Sequence, residues 1–489
     1  MRFRRLIIAA ALCCGGILSS PALPYPWSVG VQLASILAAL ALISRSPRKI
    51  ILRLGSLTWT KQELCRHFLI TGDTGSGKTT SGFHPILVQL TQNVPDWGGL
   101  VLGVKGDEHR FIGQLAAAHW RSHQVIHLQV RPEQESTAWQ PPHRFNLLGD
   151  RHLPWMTHAK ALVDIASSLT EGTQHSFFRP MAQIALANAF ELLDLLGQRV
   201  TITRAYELLT SPEVAKDAIR HLEQQHVAET TARQLASFFK STFTSVKAYE
   251  QREAIEGTIK TYLGFFLDRD VANVFSSDEP DTFSFSELDR GAIVTVSMPQ
   301  RFATERRYVH TYLKLLLYYH ALRRFDQPDL DEKNLLLLVA DEFQDIATAS
   351  EDGISDHKIV DRVRAAGLAV IAGMQSEVSL DPAIGRDKRK VFALNMRSRL
   401  IFRASDAEGA EAASEFIGKE TVWKKSRTSK MFDSVTYGKR EAEEFRFKPS
   451  ALMQLRDHVA VVVHPTKRFL QKRLSPVNGA AVTPLWFRQ

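Results

Sequence analysis

The chain has 489 residues, 44% hydrophobic and 23% charged, which excludes a disordered polymer and leaves room for two or three domains. A net charge of +9 and a pI near 9.4 favour a phosphate-rich partner, nucleic acid or anionic lipid. Three cysteines, Cys13, Cys14 and Cys65, make neither a disulfide framework nor a zinc set.

Two apolar stretches open the chain, residues 6–23 and 27–44, with Pro21, Pro24 and Pro26 between them. Arg2, Arg4 and Arg5 precede the first; Arg45, Arg48, Lys49 and Arg53 follow the second. Length and flanking charge predict a transmembrane helical hairpin over residues 1–48, both ends cytoplasmic. A cleaved signal peptide is the rival reading, because the Arg-rich start and the run SSPA fit one.

Residues 68–80 read FLITGDTGSGKTT. Phe68, Leu69 and Ile70 predict a buried strand. It runs into Gly72, Asp73, Thr74, Gly75, Ser76, Gly77, Lys78 and Thr79, a complete G-x-x-x-x-G-K-[ST] pattern. Its glycines let successive backbone N–H groups turn toward phosphates, and the helix that follows presents its positive end to the same anion. Lys78 is expected to reach the β- and γ-phosphates of ATP, the Thr79 hydroxyl to ligate Mg²⁺, and Thr80 to complete the nucleotide set.

Further strands are predicted at residues 49–54, 100–104 and 125–128. The second ends in Lys105, Gly106 and Asp107, which could line a nucleotide crevice or simply turn. From about Trp155 to Leu267 the period becomes helical, as at residues 159–169, 181–196 and 232–239. Phe238, Phe239, Lys240, Phe243 and Lys247 interleave aromatics with charge, which reads better as a core face plus a solvated face than as a nucleic-acid contact.

Strand signals resume at residues 292–296, and a long helix is expected over 303–324. Leu335 to Ala340 is a continuous apolar run that ends in Asp341 and Glu342. Such a run suits a parallel strand buried on both faces, with its carboxylates at the end where α/β sheets hold ligands. Asp341 is expected to hold Mg²⁺ and Glu342 to polarise the attacking water. A short helix ending at Gly367 precedes a strand at 368–374, at whose far end Gln375 could sense the γ-phosphate. Arg386, Lys388, Arg389, Lys390, Arg397, Arg399 and Arg403 form a basic belt around a strand at 399–402. Lys424, Lys425, Arg427 and Lys430 form a second cluster, expected in a loop. Solvated face and nucleic-acid contact stay equally open for both.

These residues together resemble the coupling proteins of type IV secretion and conjugation, TraG/TraD-like members of the HerA/FtsK superfamily. The resemblance rests on the amino-terminal hairpin, GDTGSGKTT, the KGD at 105–107, the FNLL at 145–148 and the ADEF at 340–343. It is most specific in RAAGLAVIAGMQS, residues 364–376, and continues through LNMRSRLIFRASD and SEFIG, residues 394–418. It implies an α/β fold: a RecA-like P-loop nucleotide-binding domain in two parts, residues 49–154 and 268–489, with an all-α domain, residues 155–267, inserted between. It implies a homo-hexameric ring with ATP at subunit boundaries, Arg364 acting in trans and Gln375 as sensor. It also implies a multi-pass inner-membrane protein, mostly cytoplasmic. Its expected partners are single-stranded DNA with its relaxase, or a protein substrate, and the components of a secretion channel. Leu147 stands where the family usually has proline, and the loop between the apolar stretches is very short. The rival readings are an FtsK-like duplex translocase and a non-translocating, ATP-switched membrane scaffold.

Overall fold

The computed structural model describes residues 49–104, 106, 108–169, 179–225, 230–243, 249–328, 333–350, 353–428 and 436–477. The described residues from Ile51 onward form one compact unit. β1 (Ile50–Leu54) and β2 (Leu57–Thr60) pair as a small sheet. The strands of the main sheet begin with β3 (Phe68–Thr71), β4 (Gly98–Leu102), β5 (Val125–Gln129) and β6 (Ile293–Ser297). They continue with β7 (Leu336–Ala340), β8 (Leu368–Met374) and β9 (Ser398–Ile401). β10 (Lys419–Thr428) and β11 (Thr436–Phe445) pair only with each other; β12 (Val459–Val463) and β13 (Phe469–Arg473) then return to the main sheet.

That sheet has nine strands in the order β13-β12-β9-β3-β8-β7-β4-β6-β5. It is parallel from β9 to β5, and β12 and β13 add antiparallel at one edge. The strands read as continuous apolar runs because both faces are covered. Leu336, Leu338 and Ala340 of β7 join one apolar cluster, while Leu337 and Val339 join the cluster on the opposite face. Leu336, Leu337 and Leu338 are wholly buried, each burial contributing about 2 kcal/mol before entropy.

One face is covered by the helices His84–Asn93 and Glu108–Ala118 and by β1 and β2. The other is covered by Ala303–Arg323, Asp356–Ala365 and a run of helices between β5 and β6. These are Trp155–Leu169, Arg179–Leu195, Ile202–Thr210, Pro212–Gln224, Thr230–Thr242, Tyr249–Leu263 and Arg269–Phe275. No strand occurs among the described residues of this stretch, as the period predicts. Phe239 and Phe243 are buried in its core while Lys240 is exposed and pairs with Glu223, so that aromatic-basic mixture is a core face with a solvated back; Lys247 lies outside the described residues.

Ala303–Arg323 lies between the sheet and these helices and is buried nearly all round. Arg324 at its end is fully buried; it donates to Asp289, to both oxygens of Asn334 and to the Ala366 carbonyl. One guanidinium therefore ties the helix to the starts of β7 and β8.

Three expectations need correction. The multi-pass, inner-membrane placement is not supported, because no helix among the described residues is long and apolar enough to cross a membrane. Ala303–Arg323 has the length, 21 residues, but carries Glu305, Arg306, Arg307 and Lys314. The apolar stretches 6–23 and 27–44 lie outside the described residues. Next, the basic belt is not one exposed face: Arg389 and Arg399 are buried, pairing with Asp381 and Glu377. Burial lowers the Arg399 pKa and Glu377 opposes it. Finally, Lys424, Lys425 and Arg427 lie on β10 and not in a loop, while Lys430 is outside the described residues.

Candidate functional site

β3, β8 and β7 are parallel neighbours, so their carboxyl ends open on one edge of the sheet. Gly72 follows β3, Gln375 follows β8 and Asp341 follows β7. This edge is where an open α/β sheet holds its ligands.

The loop after β3 is pinned from both sides. The Gly72 N–H donates to the Gln375 carbonyl (3.0 Å) and the Asp73 N–H to the Arg403 carbonyl (2.7 Å). The buried Ser76 hydroxyl donates to the Asp73 carbonyl at 2.7 Å. Gly77 has φ +105°, and a Cβ there would lie 2.8 Å from His458 Nδ1. Both facts require glycine. Lys78, 7% exposed, donates from Nζ to the Gly72 carbonyl at 2.7 Å. The helix after the loop starts with a π turn, Lys78–Phe83, before the α-helix His84–Asn93. Gly373 of β8 makes room for that turn, since a Cβ there would meet the Phe83 ring at 2.5 Å.

Opposite the loop, the Thr79 hydroxyl donates to Asp341 Oδ2 at 3.2 Å. Burial raises the pKa of Asp341 and the neighbouring charge of Glu342 adds to this, while Lys78 and the Thr79 hydroxyl oppose it. Glu342 adopts a left-handed backbone, φ +54°, and its carboxylate accepts from Gln344 Nε2 at 2.8 Å. A non-glycine residue in that region costs about 1 kcal/mol and points to a site. Two oxygen donors, from Thr79 and Asp341, suit a cation that keeps phosphate and water ligands, as Mg²⁺ does.

The structure brings together Gly72 to Thr80, Asp341, Glu342 and Gln375. Gln375 is exposed at the edge of the loop. Arg364 is elsewhere: it sits before the amino end of β8, exposed, 3.5 Å from Asp361. Of the KGD run, Gly106 donates to Glu108, whose carboxylate covers Gly103; Lys105 and Asp107 lie outside the described residues.

Sequence reasoning missed a second layer. Arg403 pairs with Asp73 (3.6 Å) and Asp457 (2.8 Å). His458, at φ +63°, donates its N–H to the Ser76 carbonyl (2.9 Å) and shares a 2.8 Å hydrogen bond between Nδ1 and the Ser81 hydroxyl. These residues meet the loop only because β12 pairs with β9 and β9 with β3. Ser81 and His458 are 377 positions apart, and no local pattern marks them.

A glycine-rich anion loop after a central parallel strand, facing a carboxylate pair on a nearby strand, defines the class: a P-loop α/β fold. The chain belongs to the family described as the type IV secretion-system coupling protein DNA-binding domain, whose model matches residues 155–470, more than half of the chain. Among solved structures it is similar to the plasmid coupling protein TrwB in complex with ADP and Mg²⁺. That match has TM-score 0.62 and 16% identity over 90% of this chain and 92% of the other. TrwB with a non-hydrolysable ATP analogue, ADPNP, matches with TM-score 0.61 and 16% identity over the same shares. The unbound bacterial conjugative coupling protein TrwBdeltaN70 matches with TM-score 0.61 and 15% identity, over 90% of this chain and 91% of that one. At these identities the likeness is one of fold. A search of the curated proteins found no match.

Proposed function

We propose that this chain is an ATP-hydrolysing coupling protein that drives DNA, with its relaxase, into a type IV secretion channel. The observation that carries the reading is the meeting of Thr79 and Asp341 across 3.2 Å, beside Lys78 and Glu342. The nucleotide complexes of TrwB, which shares the fold, support it. In this reading the backbone of residues 72–80 holds the phosphates, and the Lys78 ammonium balances their charge. Thr79 and Asp341 hold Mg²⁺, which supplies charge neutralisation at the transferred phosphoryl group. Glu342 orients the attacking water and accepts its proton, and Gln375 reads the γ-phosphate from the next strand end.

The motor would be RecA-like, residues 49–154 and 268–489, with residues 155–267 as an inserted all-α domain. It would act as a homo-hexameric ring in which Arg364 completes the neighbouring subunit's site. Lys78→Ala is expected to lose nucleotide binding or turnover. Glu342→Gln should keep ATP but hydrolyse it about a hundredfold or more slower. Nucleotide-binding titrations and steady-state phosphate release test both. Wild-type turnover in Glu342→Gln would sink the assignment of the carboxylates.

A further inference from the structure

A glycine-rich loop gives up more backbone entropy than other sequences when it is fixed in one shape. Contacts from outside the loop can carry that cost before any nucleotide binds. His458 makes two such contacts. Its N–H donates to the Ser76 carbonyl at 2.9 Å. A trans peptide carries its N–H opposite its carbonyl, so the Gly77 N–H points away from His458. The ring makes the second contact: Nδ1 shares a 2.8 Å hydrogen bond with the hydroxyl of Ser81, which is wholly buried. The Ser81 N–H donates to the Gly77 carbonyl at 2.8 Å. One residue thus grips the last peptide of the loop and the first turn after it. The ring also fills the space beside Gly77, where a Cβ would lie 2.8 Å from Nδ1.

His458 is itself held. Its carbonyl accepts the Leu474 N–H at 2.7 Å, and the Val477 N–H donates to the Thr80 carbonyl at 2.7 Å. The His84 ring in turn hydrogen-bonds the Val477 carbonyl at 2.7 Å. Leu474 and Val477 are buried. His458 stands just before β12 and Leu474 just after β13, so the antiparallel pair delivers both to the loop. The left-handed backbone of His458, φ +63°, is a shape kept where the neighbours over-determine it. The other link from this segment, from Asp457 through Arg403 to Asp73, is largely exposed and contributes little.

We propose that His458 is a positioning residue of the nucleotide site. It acts through Ser76 and Ser81, and keeps the loop N–H groups turned toward the phosphates before ATP arrives. The proposal rests on the reading of residues 72–80 as the phosphate cradle. When the hold is released, the loop spends part of its time in shapes that cannot bind, and the apparent Kd rises by that fraction. The cradle meets the phosphates alike before and during transfer, so the loss falls on binding and not on turnover.

The test titrates the full chain with ADPNP and Mg²⁺ by calorimetry, which reads affinity and stoichiometry together. His458→Gly permits the left-handed backbone and keeps the N–H but removes the ring. It should bind about tenfold more weakly at full stoichiometry. His458→Asn tolerates the same backbone and returns a polar atom near the place of Nδ1, so it should recover most of the loss. Ser81→Ala should also weaken binding, and should add nothing on top of His458→Gly, because the two act through one bond. With ATP, the KM of His458→Gly should rise about tenfold while kcat stays within about twofold of wild type. Wild-type affinity in His458→Gly refutes the positioning role and leaves the nucleotide site standing. Wild-type affinity at reduced stoichiometry, or no recovery in His458→Asn, marks a merely structural residue and also overturns it. A wild-type chain that binds no nucleotide overturns the cradle reading, and this proposal with it.

Discussion

Asp341 carries the tension of the site. Burial and the adjacent Glu342 raise its pKa, so metal-free protein holds this carboxylate at a cost. The sign follows directly. A folded-state pKa above the unfolded one contributes stability below the unfolded value and loses it as pH rises through the folded value. Metal-free Asp341→Asn should therefore be more stable than wild type at neutral pH, as chemical denaturation would reveal. Cation binding needs the ionised form. Mg²⁺-dependent nucleotide affinity should accordingly fall on acidification at a higher pH than an ordinary aspartate would give. Nucleotide titrations across pH, with and without Mg²⁺, check this. An affinity flat down to the normal carboxylate range would contradict it.

At the scale of elements, the loop after β7 is held by a buried ion pair. Lys314, within the Ala303–Arg323 helix, and Asp356, at the start of Asp356–Ala365, are both fully buried and 2.6 Å apart. Lys314 also donates to the Ile346 carbonyl and the Thr348 hydroxyl, and Asp356 accepts from the Thr348 N–H and the Tyr318 hydroxyl. The pair thus fixes the path that leaves Glu342. Removing one partner strands a buried charge. Asp356→Ala and Lys314→Met should each cost about 3–5 kcal/mol. The double variant should cost less than the sum by about 2 kcal/mol, because neither charge is then left alone. Strict additivity in denaturant unfolding would refute the coupling.

What could be read from sequence at this scale was local. The 68–80 run and the apolar strand ending in Asp341 and Glu342 are each defined by a few neighbouring residues, so local pattern marks them, and the structure sets both at one edge of the sheet. β10 was misread because its lysine-rich sequence KETVWKKSRT carries no apolar alternation for a strand signal to rest on. Arg399 looked like part of a basic surface; its burial depends on Glu377 and on Phe416, whose ring lies 3.5 Å from the guanidinium, across elements distant in the chain. The Arg403, Asp457 and His458 layer was invisible for the same reason. It exists only after the β9 and β12 register is set.

For the whole molecule, Arg364 and Gln375 lie at opposite ends of β8, a strand of 7 residues and so about 20 Å long. Gln375 is at the nucleotide edge, and Arg364 is exposed at the far edge. That separation favours action on a neighbouring subunit. Arg364→Ala and Lys78→Ala should each be inactive, yet mixing them should restore part of the ATPase activity, since some interfaces join an intact loop to an intact arginine. No recovery in rings shown to be mixed, or normal activity of Arg364→Ala alone, would contradict trans action. The central claim, that ATP hydrolysis at Thr79, Asp341 and Glu342 is coupled to DNA, is tested most directly by the steady-state ATPase rate of the full chain with and without single-stranded DNA. The rate is expected to rise with DNA and to lose both its basal and stimulated parts in Glu342→Gln. A rate indifferent to DNA, or stimulation that survives Glu342→Gln, would contradict it.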